Sequence, residues 1–197
     1  MTSTSLISIA VIAVLIFWTV GAYNRLVRLK NMIANAFGQI DVQLKRRYDL
    51  IPNLVEAAKK YLSHERETLE AVTNARNQAK TASEGARGRP ANAQAVTTLA
   101  VAEQALSSSL GKLFALNEAY PELKADETIR ELSEELTSTE NKVAFARQAF
   151  NDAVLDYNDA QAQFPAVLVA RLFSFAPAAV LQATQSPEER KAVRVAM

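Results

Sequence analysis

From Thr2 to Asn24 the chain carries no charged side chain, and Leu6 to Tyr23 is a run of Leu, Ile, Val, Ala and aromatics interrupted only by Ser8, Thr19 and Gly21. A helix crosses a bilayer with about 20 mostly apolar residues, so this run is long enough to span one. A cleaved signal peptide is the competing reading. It lacks support, because no basic residues precede the apolar run and the run exceeds the usual signal length. Trp18 and Tyr23 fall towards the C-terminal end of the run, where amphipathic rings suit the membrane interface. Arg25, Arg28, Lys30 and then Lys45, Arg46 and Arg47 follow. This excess of cations predicts a membrane crossed once, with the N-terminus outside and the body in the cytoplasm.

Beyond the span the apolar residues recur every three or four positions, the stripe of a helix facing a core. The first series is Leu26, Leu29, Ile33, Phe37, Ile40 and Leu44, with no Pro or Gly between it and the span, so helix 1 is expected to run out of the bilayer to about Tyr48. Pro52 is expected to stop it, since proline lacks a donor and disfavours helical geometry in the residue before it. Helix 2 is expected from about Leu54 through Val72 to the Gly and Pro cluster at 84–90. Helix 3 carries Leu99, Leu106, Leu110 and Leu113 and is halted by Pro121. Helix 4, capped by Asp126, carries Ile129, Leu132, Leu136, Phe150, Val154 and Tyr157 and reaches Phe164. Five Gly and six Pro in 197 residues leave little to interrupt helices, and no stretch alternates like a strand.

The predicted fold class is therefore all-α, an N-terminal transmembrane helix continuing into a long antiparallel up-down four-helix bundle. Its expected divisions are an anchor at 1–23, a bundle at 24–164 and an apolar C-terminal segment with a tail at 165–197. Helices of this length span roughly 40 to 60 Å. The turns near Pro52 and Pro121 should form the distal tip. The loop holding Arg87 and Arg89 should lie near the bilayer, where anionic headgroups attract basic side chains.

The charge balance narrows function. The formal net charge is +1, but residues 25–47 hold six basic and one acidic side chain, leaving 16 basic against 20 acidic elsewhere. A folded part of that balance does not suit a nucleic-acid binder. With no Cys, a thiolate nucleophile or Cys-ligated metal is excluded. His64-Glu65-Arg66-Glu67-Thr68 begins like a zinc-protease helix but has Thr68 where the second His must stand. The Glu-x-x-His pair of di-iron bundles is absent too, with Tyr61 three residues before the only His. No catalytic residue, metal or cofactor is expected. An enzyme resting on His64, the only histidine, is the least favoured reading.

Several segments resemble a known family. They are Tyr23-Asn24-Arg25-Leu26-Val27, and Ile40 through Lys45-Arg46-Arg47-Tyr48-Asp49-Leu50-Ile51-Pro52-Asn53-Leu54-Val55. Later come Tyr120-Pro121-Glu122-Leu123-Lys124, Thr139-Glu140-Asn141, and Phe145 through Asn151, then Tyr157-Asn158 and Phe164-Pro165. Together they resemble the LemA family of bacterial membrane-anchored proteins across roughly the whole chain. The resemblance implies a single span and a helical bundle, with no firmly established biochemical activity. The chain departs from the family pattern at Ser174, where a Gly usually precedes the second Phe of the C-terminal motif, and at Ala176, where a basic residue usually follows.

Two candidate regions stand out. Arg46, Arg47, Tyr48, Asp49, Pro52 and Asn53 are denser in polar groups than a plain helix turn needs. Arg47 lies on or beside the apolar stripe, and a buried charge must be paired. One reading makes this segment a structural tip pairing with acids from the Pro121 turn; the other makes it a protein-docking surface anchored by Arg46 and Tyr48. Arg76, Glu140, Asn141, Arg147 and Asn151 are expected to form an interhelical polar layer. The second region is the apolar stretch 165–181, with Leu168, Leu172, Phe173 and Phe175, whose only charge is Arg171. Three roles suit it: capping the bundle's membrane-proximal end, lying in the headgroup region, or packing against another copy. The expected partners are membrane lipids, an unidentified membrane or cytoplasmic protein, and further copies of the chain. The function that follows is a non-enzymatic, membrane-anchored scaffold or adaptor, with a self-assembling, membrane-organising protein as the alternative.

Overall fold

A computed structural model describes residues 3–182; residues 1–2 and the expected tail at 183–197 lie outside it. The fold is all-α, and no strand occurs among the described residues. Helix α1 runs from Ser3–Lys59, α2 from Arg66–Gly88, α3 from Ala93–Ala119, α4 from Pro121–Ala125, α5 from Glu127–Ala162 and α6 from Ala166–Leu172. At 1.5 Å per residue, α1 is about 85 Å long. The large apolar side chains of its first part, from Leu6 to Val20, are exposed. Among the described helices, α1 alone is long and apolar enough to cross a membrane.

From Leu26 onwards the same helix is the central element of the core. Its stripe Leu26, Ile33, Phe37, Ile40, Leu44, Tyr48, Ile51, Leu54 and Ala58 is buried. The expected stop at Pro52 is not found. Leu54, Val55 and Ala58, assigned by sequence to a second helix, continue this stripe, and the chain turns only at residues 60–65. A proline inside a helix leaves the carbonyl four residues earlier without its donor. Here that carbonyl belongs to Tyr48, and the Arg76 guanidinium of α2 donates to it from Nε at 2.9 Å. A side chain from the neighbouring helix thus replaces the missing backbone bond.

Helix α1 runs along α5 on one side and α2 on the other, and α2 runs along α3. Each neighbour of α1 is antiparallel to it. Phe37 meets Phe150 edge-on at 5.8 Å while Arg46 reaches Glu135, and Asp41 meets Arg87 while Tyr48 meets Ala79. The buried stripe of α2 starts with Leu69 and Val72 and continues with small residues (Ala75, Ala79, Ser83, Ala86), while that of α3 is of larger ones (Val96, Leu99, Leu106, Leu110, Leu113). Local caps fix the helix starts. Asn92 accepts from the Ala95 amide at 2.9 Å, and Asp126 from the Ile129 amide at 3.1 Å. Pro121 ends α3 and opens α4, in the first-turn position where its missing donor is harmless.

The helices differ in reach. Arg87, at the end of α2, is bound to Asp41, which lies 18 residues past Tyr23, or about 27 Å along α1. The loop holding Arg87 and Arg89 is therefore well away from the end of the span, and Arg87 is engaged by a carboxylate, contrary to the expectation of a bilayer contact. Nearer the span the core is made by α1, α5, α6 and the chain from Phe173 to Leu181, which occupies the space that α2 and α3 do not reach.

Candidate functional site

The densest polar constellation centres on Arg47 and Tyr48, which are 4% and 2% exposed despite lying on the most polar stretch of α1. Arg47 Nη1 donates to Glu103 of α3 at 2.9 Å, and Nη2 donates to Ser107 at 3.1 Å and lies 3.8 Å from Glu140 of α5. The Tyr48 hydroxyl bonds to the other oxygen of Glu103 and reaches the Ala79 carbonyl of α2 at 3.2 Å. Two consecutive residues of α1 therefore touch each of the other long helices. Burial lifts the Glu103 carboxyl above the usual carboxylate range, against the opposing pull of Arg47 and Tyr48. Burial, reinforced by Glu103, raises the Tyr48 hydroxyl far above its ordinary value. The Tyr48 hydroxyl therefore keeps its proton near neutrality.

This arrangement corrects the expected tip. Arg46, Arg47, Tyr48, Asp49, Pro52 and Asn53 lie within α1, up to thirteen residues before its end, because the helix continues through Pro52. Arg47 pairs with acids of α3 and α5 and not with the Pro121 turn. Arg47 and Tyr48 are too buried to anchor a partner. Arg46, Asp49, Pro52 and Asn53 do face solvent, and Arg46 makes an ion pair with Glu135. The far turns are joined by Tyr61, whose hydroxyl donates to Asp126 at 2.9 Å, a link that sequence reading missed. The Ile129 amide, and after it the Tyr61 hydroxyl, holds the Asp126 carboxyl below its usual range.

The expected polar layer is split among different tasks. Arg76 serves the Tyr48 carbonyl and Glu140 stands beside Arg47, while Asn141 lines a surface groove with Phe145, and Arg147, half-buried, makes no side-chain hydrogen bond or ion pair among the described residues. Asn151 belongs to a second device. Its carboxamide both donates to the Leu181 carbonyl (3.2 Å) and accepts from the Leu181 amide (2.8 Å). Asn158 treats Ala178 in the same way, at 2.9 Å in each direction. Tyr157 donates to Ala176 at 3.0 Å, and Gln161 to Phe175. Seven residues of helix rise about 10 Å, the length of three extended residues, so Asn151 and Asn158 match the separation of Leu181 and Ala178. The available signal was two Asn at a seven-residue spacing beside the apolar stripe.

The apolar C-terminal segment divides accordingly. Val169, Ala170, Ala178 and Leu181 are buried against the body. Phe173 and Phe175 meet the Tyr23 ring edge-on at 4.9 and 5.5 Å. Leu168 and Leu172 remain exposed.

His64 lies exposed in the turn after α1, and among the described residues no group of three or more His, Asp or Glu side chains is placed to hold a metal ion. A model of the LemA family matches residues 36–197, from the core part of α1 to the C-terminus. The chain belongs to the LemA family. Members of this family are not enzymes, and the apolar start of α1 makes this one a single-span bacterial membrane protein. A comparison with curated proteins gives no match. The Lys45 to Val55 stretch that carries much of the resemblance to the LemA family is the stretch in which α1 is locked to its neighbours, so the most distinctive residues have an architectural role.

Proposed function

We propose that this LemA-family protein is a non-enzymatic, membrane-anchored scaffold whose up-down bundle stands on the cytoplasmic side and presents a surface to a membrane or cytoplasmic protein. The observation that carries this reading is the continuity of α1. One helix is both membrane span and central core element, so the anchor (1–23) and the body (24–164) are joined without a hinge. A rigid coupling of this kind holds a surface at a fixed distance along the span and a fixed angle to it, which is what a scaffold requires and what a flexibly tethered domain does not provide. The cations following Tyr23 support the cytoplasmic side. The best-suited surface is a shallow groove of about 720 Å³ on the α1–α5 seam, lined by Gln39, Gln43, Asn141 and Lys142, where the Phe145 ring stands 80% exposed. An exposed aromatic beside amides is typical of an interface anchor.

Self-assembly is the second reading. It is favoured by a groove of about 980 Å³ between α2 and α3, where small residues (Ala82, Gly85, Ala95, Ala102) lie among amides and threonines with Val101 exposed beside them, so that another helix can approach closely. A photocrosslinker placed at Phe145 or Val101 in intact cells distinguishes the two. Adducts with a different protein at Phe145 are the expected result. Adducts only between copies, at Val101, would replace the scaffold reading with assembly.

A further inference from the structure

Phe164 is 81% exposed, Leu172 74% and Leu168 56%. These are high values for large apolar side chains on a folded body; Leu168 and Leu172, four residues apart, share one side of α6, and Phe164 lies in the turn that leads into it. The opposite side of α6 is buried, with Ala170 packed against Leu26 and Ala160. Leu26 lies three residues past Tyr23, about 5 Å along α1, and the Tyr23 ring itself holds Phe173 and Phe175. The exposed apolar side of α6 is therefore level with the end of the membrane span and attached to it by aromatic contacts. Arg25, Arg28, Lys30 and Arg171 are exposed in the same zone, and none forms an ion pair among the described residues. Apolar side chains at interfacial depth beside uncompensated cations complement one surface in particular, an anionic lipid bilayer.

We infer that α6 and its flanks form an interfacial foot: Phe164, Leu168 and Leu172 enter the headgroup–acyl boundary of the membrane that α1 spans, while Arg171 and the cations after Tyr23 meet anionic headgroups. The clasp made by Asn151, Asn158 and Gln161 ties the foot to α5, and Tyr23 ties it to α1. A single span can still tilt in the bilayer and carry the rigidly joined body with it; a second, off-axis contact restrains that tilt. This holds whichever partner the body carries and on whichever side of the membrane it stands.

The test uses the full chain, one copy per nanodisc. Because the sequence has no Cys, single nitroxide labels at Phe164→Cys and Leu172→Cys are unambiguous, and these exposed positions tolerate a label without unfolding. Phe145→Cys, exposed on the body far from the span, is the aqueous control. The expected result is that labels at 164 and 172 are severalfold more shielded from a water-soluble nickel chelate than the control, and correspondingly more accessible to oxygen. The shielding is expected to be greater in discs containing phosphatidylglycerol than in purely zwitterionic ones. Chelate accessibility equal to that of the control would overturn the foot. Shielding that appears only with two copies per disc would overturn it in favour of contact between copies. Equal shielding in anionic and zwitterionic discs would overturn the role given to the cations.

Discussion

The upper and lower levels of the body solve the same problem with different chemistry. Above Asp41, α1 is surrounded by α2, α3 and α5, and the helices are locked by charge: Arg47 and Glu103, with Tyr48 between them. Below Phe37, α2 and α3 are missing, and an irregular chain is held to α5 by neutral carboxamides. A buried charge is tolerable only where several rigid helices hold its partners in place, because one lost partner leaves it uncompensated. An extended strand of chain offers alternating donors and acceptors, which an Asn side chain matches without any charge to desolvate. The upper level should therefore fail as a unit, and the lower one locally.

The largest expected effect follows from Arg47→Met, which strands Glu103 inside the body. It should destabilise the whole bundle by about 3–5 kcal/mol. Unfolding of the full chain in detergent micelles measures this, and adding Glu103→Leu should recover most of the loss. A change below about 1 kcal/mol would remove the contrast between the levels. Asn158→Ala should cost about 1–3 kcal/mol, felt where the clasp is. Amide exchange should quicken at Ala178 while that around Tyr48 holds steady, and equal quickening at both sites would show that the levels are not separable.

Arg76→Ala should cost about 1–3 kcal/mol by orphaning the Tyr48 carbonyl. In a Pro52→Ala background a backbone amide is restored to that carbonyl, so the same change should cost markedly less. A double-mutant cycle with no coupling would mean that Arg76 does not stand in for the missing donor.

Acid should act on the upper level in an unusual direction. A carboxyl raised in the folded state binds its proton there more readily than in the unfolded chain. The stability contributed through Glu103 is therefore full below the usual carboxylate range and falls as pH rises through the folded value. The midpoint of unfolding should show this slope, and Glu103→Gln should remove it. The smallest effect concerns the lower level. Ser174 holds a left-handed backbone (φ 55°) that a side chain disfavours. Ser174→Gly should stabilise the segment by up to about 1 kcal/mol, read as slower amide exchange from Phe175 to Leu181; faster exchange would show that the Ser is not strained.

The structure also explains which readings of the sequence succeeded. The stripe from Leu26 to Leu44 and the cap at Asp126 are local patterns, and each is found where the sequence put it. The break expected at Pro52 was wrong because helix-breaking is a local penalty and its relief is not: the compensating donor, Arg76, is 24 residues away in sequence. The docking role weighed for Tyr48 is untenable for the same reason, since a polar residue on a polar segment is buried only when its partners, Ala79 and Glu103, are brought in from other helices.

The sequence by itself determined the span, the helical character and the apolar face of each long helix, because these follow from residue spacing within a few turns. Only the tertiary structure decided that α1 runs through its proline, that α2 and α3 end some 27 Å short of the span's end, and that Asn151 and Asn158 hold the C-terminal chain in the space left below. Each of these depends on hydrogen bonds between residues far apart in the chain, and no periodicity in a single segment encodes the partner it will meet.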